Sequence, residues 1–517
     1  MASAVRAPGR LVSRNVAALL AARLVVALAG LVSLPVVYAR LGATEFGIWV
    51  VLSGLATAIA LADLGLGSAI VREVASSVHD GAIRRARIAL GIGLVWGIAL
   101  AVVGAGVILA AWPWLVSLLH LSGAASAARW AVMALLLGVL MDGLALPWRG
   151  VLEGTQRYTA LSWVTAGTGV LGACLAVLAV RTGGGLKELA ISVAVTCAVR
   201  ACLVVAVAHR YVASMTPTLA GVTRDDLRSV GGYGLRVQVT SASGAVNVEL
   251  DRFILAGFFG PAVAGGFDLG GRLVNLARLV PAYALVALFP MAVSRTAELG
   301  PDWLDRFNLT ATKYLTACAA VGAAALFVCA DPLIRLWLGQ PNRWAAVNVM
   351  ILAPAYALNL AAGAIGILSR VEGRPGRETG YAVLTVVLNL ALTWPLLHLL
   401  GPSGVPLATA IGVAVGTAYF MVSYHRVTHR PLAPLVRVVW PSLAAAVVAA
   451  TVGAVVGSVL SEGSGRLDAG IAVACRGSVV LVAAAAILAA TGFLRADEAA
   501  RLRQVVRRLF PVAQGAK

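Results

Sequence analysis

The sequence predicts an all-α integral membrane protein of about fourteen transmembrane helices. Three observations predict it. Sixty per cent of the 517 residues are hydrophobic and 12% are charged, with a mean hydropathy of +0.91. Soluble domains carry about 25% charge and about 45–50% apolar residues, so this composition lies well outside their range. The apolar residues fall in continuous runs and not in alternation, which excludes an outer-membrane barrel. The basic residues collect between the runs on alternate sides. About 310 apolar residues, at about 20–22 per span, leave room for roughly fourteen spans. A soluble enzyme, a disordered tail protein and a secreted disulfide scaffold are excluded.

The runs occupy 14–39, 46–71, 88–111, 130–148, 158–180 and 188–208, then 229–258, 262–293, 309–330, 344–369, 379–400 and 403–424, and finally 437–460 and 469–494. The first follows Arg6, Arg10 and Arg14 as a signal peptide would. It is too long for such a segment and leads straight into a second span, so it reads as an uncleaved helix. With the N-terminus inside and the spans alternating, 27 of the 41 basic residues fall in cytoplasmic segments, 7 outside and 7 within spans. That bias places both termini in the cytoplasm. Outer loops are short, the longest being about 111–129. Basic stretches at 209–228 and 425–437 divide the chain into an N-lobe of six helices (1–210), a C-lobe of six (211–425), a further helix pair (426–494) and a tail (495–517). In the tail, Leu502, Val505, Val506 and Leu509 share one helical face and arginines the other, as in a helix lying on anionic membrane lipids.

The net charge of +19 follows from this loop bias, and no nucleic-acid partner is expected. Cys174, Cys197, Cys202, Cys318, Cys329 and Cys475 lie in apolar runs without metal spacing and read as small buried hydrophobes. The histidines show no metal spacing either, and there is no Walker loop. No metal, cofactor or ATP site is therefore expected. GTGVLG (Gly167 to Gly172) fits a dinucleotide fingerprint but lies in an apolar helix with no strand before it. It reads as close helix packing.

Charges inside a membrane cost at least about 2.5–3.5 kcal/mol each and mark function by default. The spans hold Arg23, Asp63, Asp142, Arg200, Arg236, Glu249, Asp251, Arg252, Asp268, Arg272, Arg278 and Arg476. Spans 1 and 2 turn near Gly42, and spans 7 and 8 near Gly260. Counted from each hairpin's end, Arg23 is level with Asp63, Arg252 with Asp268, and Glu249 with Arg272. Two readings stand. These are ion pairs that hold hairpins together, or the hairpins face a wet cavity in which arginines bind an anion and carboxylates bind a proton or sodium ion. Clustering in spans 1, 2, 7 and 8 favours the cavity. A shift of 218 residues superposes Gly42 on Gly260 and Gly47 on Gly265, so the leading hairpins of the two halves look repeated. Repeated halves around a central site are the architecture of alternating-access transporters.

LGATEFGIW (Leu41 to Trp49), ADLGLGSAIVREVA (Ala62 to Ala75), LEGTQRYTAL (Leu152 to Leu161), DRFILAGFFG (Asp251 to Gly260), GGFDLGGRL (Gly265 to Leu273) and ALFPMAVS (Ala287 to Ser294) together resemble the polysaccharide flippases. These are the O-antigen and exopolysaccharide exporters of the MATE-like superfamily, and the resemblance covers 14–425. It implies two six-helix lobes in a V with a cationic central cavity, the last two spans being the additional pair of fourteen-helix members. It implies transfer of an undecaprenyl-pyrophosphate-linked oligosaccharide across the bacterial inner membrane, and polysaccharide polymerase partners. On this reading Arg23, Arg236, Arg252, Arg272 and Arg278 hold the pyrophosphate. Asp63, Asp142, Glu249, Asp251 and Asp268 serve as coupling-ion or ion-pair residues. Gln238, Asn247, Asn275, Asn359 and Asn389, with Ser241 and Ser243, face the sugar. The carboxylates Glu249 and Asp268 depart from the family's usual pattern.

The chemistry suits such a cargo. A pyrophosphate cannot cross about 30 Å of hydrocarbon unaided, and arginine forks match phosphate oxygens bidentately. Rival readings are a lipid II flippase, a cation-coupled multidrug exporter of the same superfamily, and a membrane-embedded polymerase or acyltransferase. An arginine-rich cavity disfavours cationic drugs, and a polymerase is expected to carry a sizeable outer loop, which is missing here.

Overall fold

The computed structural model describes residues 8–61, 65–80, 83–212, 214–372, 376–459, 463 and 465–493, with the side chains of 8–13, 78–80, 122, 233–248, 280, 283, 284, 286, 287, 290 and 377 excepted. Asp63 and the amphipathic tail lie outside these residues, as do the side chains of Arg236, Gln238 and Asn247. Every described element is helical. In order they are α1 (Pro8–Leu61), α2 (Leu66–Asp80), α3 (Ile83–Ala110), α4 (Trp112–Leu118), α5 (Ala125–Gly154), α6 (Tyr158–Arg181) and α7 (Leu186–Tyr211). There follow α8 (Arg224–Phe259), α9 (Pro261–Leu299), α10 (Pro301–Val328), α11 (Ala330–Leu338), α12 (Arg343–Ala361), α13 (Gly363–Val371), α14 (Gly376–Leu400) and α15 (Gly404–Val427). A last pair, α16 (Ala433–Val459) and α17 (Arg466–Ala490), completes the described elements.

Ten segments among the described residues are long and apolar enough to cross a membrane. Two of them, Arg14–Leu61 and Glu378–Val427, have 48 and 50 residues, enough for two crossings each. The surface matches that reading. Val95, Val102, Val103 and Val107 of α3 and Val447, Val455, Leu481 and Val482 of the last pair are exposed, as lipid-facing side chains are. Small residues allow close helix crossings in such an environment. A Cβ at Gly97 of α3 would stand 2.6 Å from the carbonyl oxygen of Gly143 of α5. In the GTGVLG stretch, Gly169 meets Val26 of α1 and Gly172 meets Thr196 of α7. The protein is a multi-pass membrane protein.

Two turns organise the centre. Gly42 breaks α1 at φ 76°, ψ 175°, and Gly260 joins α8 to α9 at φ 88°, ψ 163°. Both conformations belong to a region that is essentially glycine-only. The two glycines that superpose under the 218-residue shift thus share one backbone conformation. Gly42→Ala or Gly260→Ala should cost about 1–3 kcal/mol in backbone strain, read as a lower unfolding midpoint of the purified variant. Gly30→Ala, where an added Cβ meets nothing within 4 Å, should not lower it. A fall of equal size at all three would remove the strain argument.

The segment between α7 and α8 is docked on α2 and α3. Met215 is buried against Ile70, Val74 and Leu90. Thr218 donates its N–H to the Arg87 carbonyl at 3.0 Å, Arg87 Nε donates to the Thr216 carbonyl at 3.1 Å, and Arg84 donates to the Gly221 carbonyl at 2.9 Å. Arginines that count toward orientation therefore also fasten the connector. At the start of α8, Asp226 accepts from the Thr223 N–H at 3.0 Å, and this hydrogen bond holds its carboxyl below the ordinary carboxylate range. The last pair packs on α10 through Ala320, Ala324, Ala446, Ala449, Val480 and Ala484. Arg476 of α17 donates to the carbonyls of Gly457 (3.0 Å) and Val328 (3.4 Å), at the C-terminal ends of α16 and α10. Two negative helix ends account for an arginine at that depth.

Candidate substrate cavity

The cavity opens between α8, α9, α12 and α15. It is partly open to solvent and is lined by Asp251, Arg252, Phe267, Asp268, Arg272, Asn275, Asn348, Tyr356 and Thr409. Glycines on α9 let it pack closely on α12. Gly266 lies against Trp344 and Asn342, and Gly270 against Ala345 and Asn348 of α12. Asn348 Nδ2 donates to the Phe267 carbonyl, which fixes the first turns of α9 to α12.

Four of the expected residues form one chain of ion pairs. Arg252 Nη1 donates to both Glu249 oxygens at 2.8 Å, and Arg252 Nη2 donates to Asp268 Oδ1 at 2.5 Å. Asp268 Oδ2 accepts from Arg272 Nε at 2.5 Å. Depth alone would pair Glu249 with Arg272. Glu249 takes Arg252 instead, because residues three apart on one helix share a face. Exposure differs sharply between its members: the Asp268 side chain is 1% exposed, Glu249 11%, Arg252 19% and Arg272 44%. Arg252 has both terminal nitrogens engaged by carboxylates. Arg272 lines the cavity and is held through Nε, and its two terminal nitrogens make no hydrogen bond among the described residues.

Arg278 lies farther along α9. Its guanidinium carbon stands 4.1 Å from the centre of the Tyr356 ring, and Nη1 donates to Asn275 Oδ1 at 3.3 Å. Its Nε is buried without an acceptor, and no carboxylate pairs with it among the described residues. Asp251 turns the other way. Its oxygens accept from Thr409 Oγ1 at 2.5 Å and Asn389 Nδ2 at 3.3 Å, and no basic side chain bonds it among the described residues. Thr393 donates to the Asn389 carbonyl at 2.7 Å and so extends a polar cluster between α14 and α15.

Other expected residues lie elsewhere. Asp142 and Arg200 pair at 2.5 and 3.1 Å between α5 and α7, outside the cavity lining. Arg23 is exposed on α1. Asn359 donates to the Tyr381 hydroxyl at 2.6 Å and does not line the cavity. Sequence reading missed Tyr356, Thr393 and Thr409. The four-residue spacing of Asn389 and Thr393 in an apolar run was the available signal, since it places two polar groups on one helix face.

Beside the cavity, α1 packs closely on α8 and α9. A Cβ at Gly265 would stand 2.8 Å from Gly47 Cα, and one at Gly54 would stand 2.8 Å from Glu249 Oε2. The two glycines related by the 218-residue shift therefore touch. Phe46, Val50, Leu52, Leu255, Phe267 and Leu269 are buried around them. Trp337 Nε1 donates to the Leu31 carbonyl at 2.7 Å, and Asn342 donates to the Tyr38 hydroxyl at 2.8 Å.

A family model described as polysaccharide biosynthesis protein matches residues 12–295. No curated protein matches the sequence. Among solved structures, the fold is similar to the lipid II flippase MurJ in an inward closed conformation. The TM-score is 0.66 at 13% identity, over 91% of this chain and 98% of that one. It is also similar to the MATE multidrug transporter DinF-BH in complex with R6G (TM-score 0.57, 18% identity, 81% and 96% covered). A mutant of the Vibrio cholerae MATE transporter VcmN gives a TM-score of 0.53 at 17% identity, with 81% and 98% covered. These likenesses establish the fold.

Proposed function

The chain belongs to the polysaccharide biosynthesis protein family, and on that premise we propose that it is an alternating-access flippase for an undecaprenyl-pyrophosphate-linked oligosaccharide. The cargo moves from the inner to the outer leaflet of the bacterial inner membrane, both termini being cytoplasmic. One observation carries the reading: Arg272 lines the cavity with its two terminal nitrogens unengaged among the described residues, and Arg278 stands beyond it with no carboxylate partner among them. An arginine fork matches a diphosphate, which is the group least able to cross hydrocarbon. The polyprenyl tail stays in lipid while the lobe 1–210 rocks against the lobe 211–425, whose helices line the site. A membrane potential negative inside favours outward movement of an anionic head-group by about 2.3 kcal/mol per charge per 100 mV.

Asp251 is the residue for a coupling ion. Its surroundings on α14 and α15 are neutral and oxygen-rich, suited to a proton or a sodium ion. Asp251→Asn should make transport insensitive to an imposed proton or sodium gradient, where the parent protein speeds up about tenfold or more. An unchanged gradient response in the variant would remove Asp251 from that role.

The direct test is reconstitution in vesicles with defined lipid-linked sugars, scoring their appearance in the opposite leaflet. Movement of lipid-linked oligosaccharide supports the proposal. Movement of lipid II alone supports the second reading, which the similarity to MurJ favours and which uses the same diphosphate chemistry. Movement of neither contradicts both.

A further inference from the structure

The chain Glu249–Arg252–Asp268–Arg272 treats its two arginines differently. Arg252 has both terminal nitrogens engaged by carboxylates and is mostly buried, while Arg272 makes one hydrogen bond among the described residues and is nearly half exposed. The single bond to Arg272 is made at Nε, the atom that leaves the paired terminal nitrogens free as a fork. Its acceptor, Asp268, is the most buried member of the chain, and Arg252 holds that carboxylate in place from the other side. Glu249 in turn lies against Gly54 of α1, so the chain of ion pairs is braced on α1.

We propose that Asp268 is a positioning residue: by gripping Nε it aims the free fork of Arg272 into the cavity to receive the substrate's diphosphate. The proposal rests on the reading of the cavity as a diphosphate site and names what makes that site specific. An arginine on a flexible stem loses rotamer freedom when it binds, and a side chain already held in its bound pose loses less. Asp268 also carries a negative charge beside an anion site. If charge alone mattered, removing it would strengthen anion binding. Positioning gives the opposite sign.

The test is calorimetric binding of geranyl diphosphate to the purified full-length protein in detergent. Asp268→Asn should weaken binding about tenfold despite its gain of one positive charge, as should Arg272→Gln. Adding Asp268→Asn to Arg272→Gln should cost nothing further, because the first acts through the second. Asp268→Glu keeps the charge and shifts the grip by one methylene, so any loss it shows reads geometry. This variant decides the matter if Asp268→Asn proves unstable, and a loss of several-fold is expected. Affinity that is unchanged or higher in Asp268→Asn, full affinity in Asp268→Glu, or additive losses in the double variant would overturn the positioning role. Equal binding by the parent protein and Arg272→Gln would instead overturn the diphosphate site itself, and the positioning role with it.

Discussion

Arg252→Gln is expected to cost the folded protein about 3–5 kcal/mol, the loss typical when one partner of a buried ion pair is removed. The substitution leaves Glu249 without its only cation partner among the described residues, and Asp268 with Arg272 alone. Both carboxylates are nearly inaccessible, so neither recovers hydration in exchange. The variant should be depleted from the membrane fraction and should unfold earlier in detergent. Transport by whatever protein remains is a secondary reading. Normal abundance with a normal unfolding midpoint would mean that Arg252 is not the strut of the ion-pair chain.

Arg272→Gln is expected to separate the two properties in the opposite sense. Arg272 is 44% exposed and makes one bond to a carboxylate that retains Arg252, so abundance should hold. A hydrogen bond to a charged group contributes about 1.5–3 kcal/mol, and loss of the fork should lower transport of lipid-linked sugar about ten- to hundredfold. The drop should lie in binding of the diphosphate and should not be recovered by Arg272→Lys, which offers a point charge without the paired geometry. Full transport in Arg272→Gln would contradict the cavity as the route of the head-group.

The sequence carried the fold class plainly, because hydropathy and loop charge are summed over hundreds of residues. The Gly42 and Gly260 turns and the ion pair of Arg252 with Asp268 lie where spacing suggested, whereas the contact of Gly47 with Gly265, known from the sequence only as a repeat-related pair, did not follow from it. What it could not show is rotation about each helix axis. Asp251 and Arg252 are neighbours in sequence but about 100° apart on the helix, so one meets Thr409 of α15 and the other meets Asp268 of α9. Spacing gave Arg252 and Arg272 one shared role, and only the bond pattern separates them. Asp142 and Arg200 pair between helices that are not consecutive, which counting from a shared turn does not reach. Arg476 bonds backbone carbonyls, and no residue pattern announces a backbone acceptor. Tyr356 and the threonines fit apolar runs as readily as a cavity wall.

The central claim is tested most directly by a cryo-electron microscopy structure of the protein with an undecaprenyl-pyrophosphate-linked sugar bound. The account predicts phosphate oxygens within about 2.7–2.9 Å of the terminal nitrogens of Arg272, with Arg278 beside the same head-group and the polyprenyl chain running into lipid. A head-group seated away from α9, with the Arg272 fork left in solvent, would contradict it.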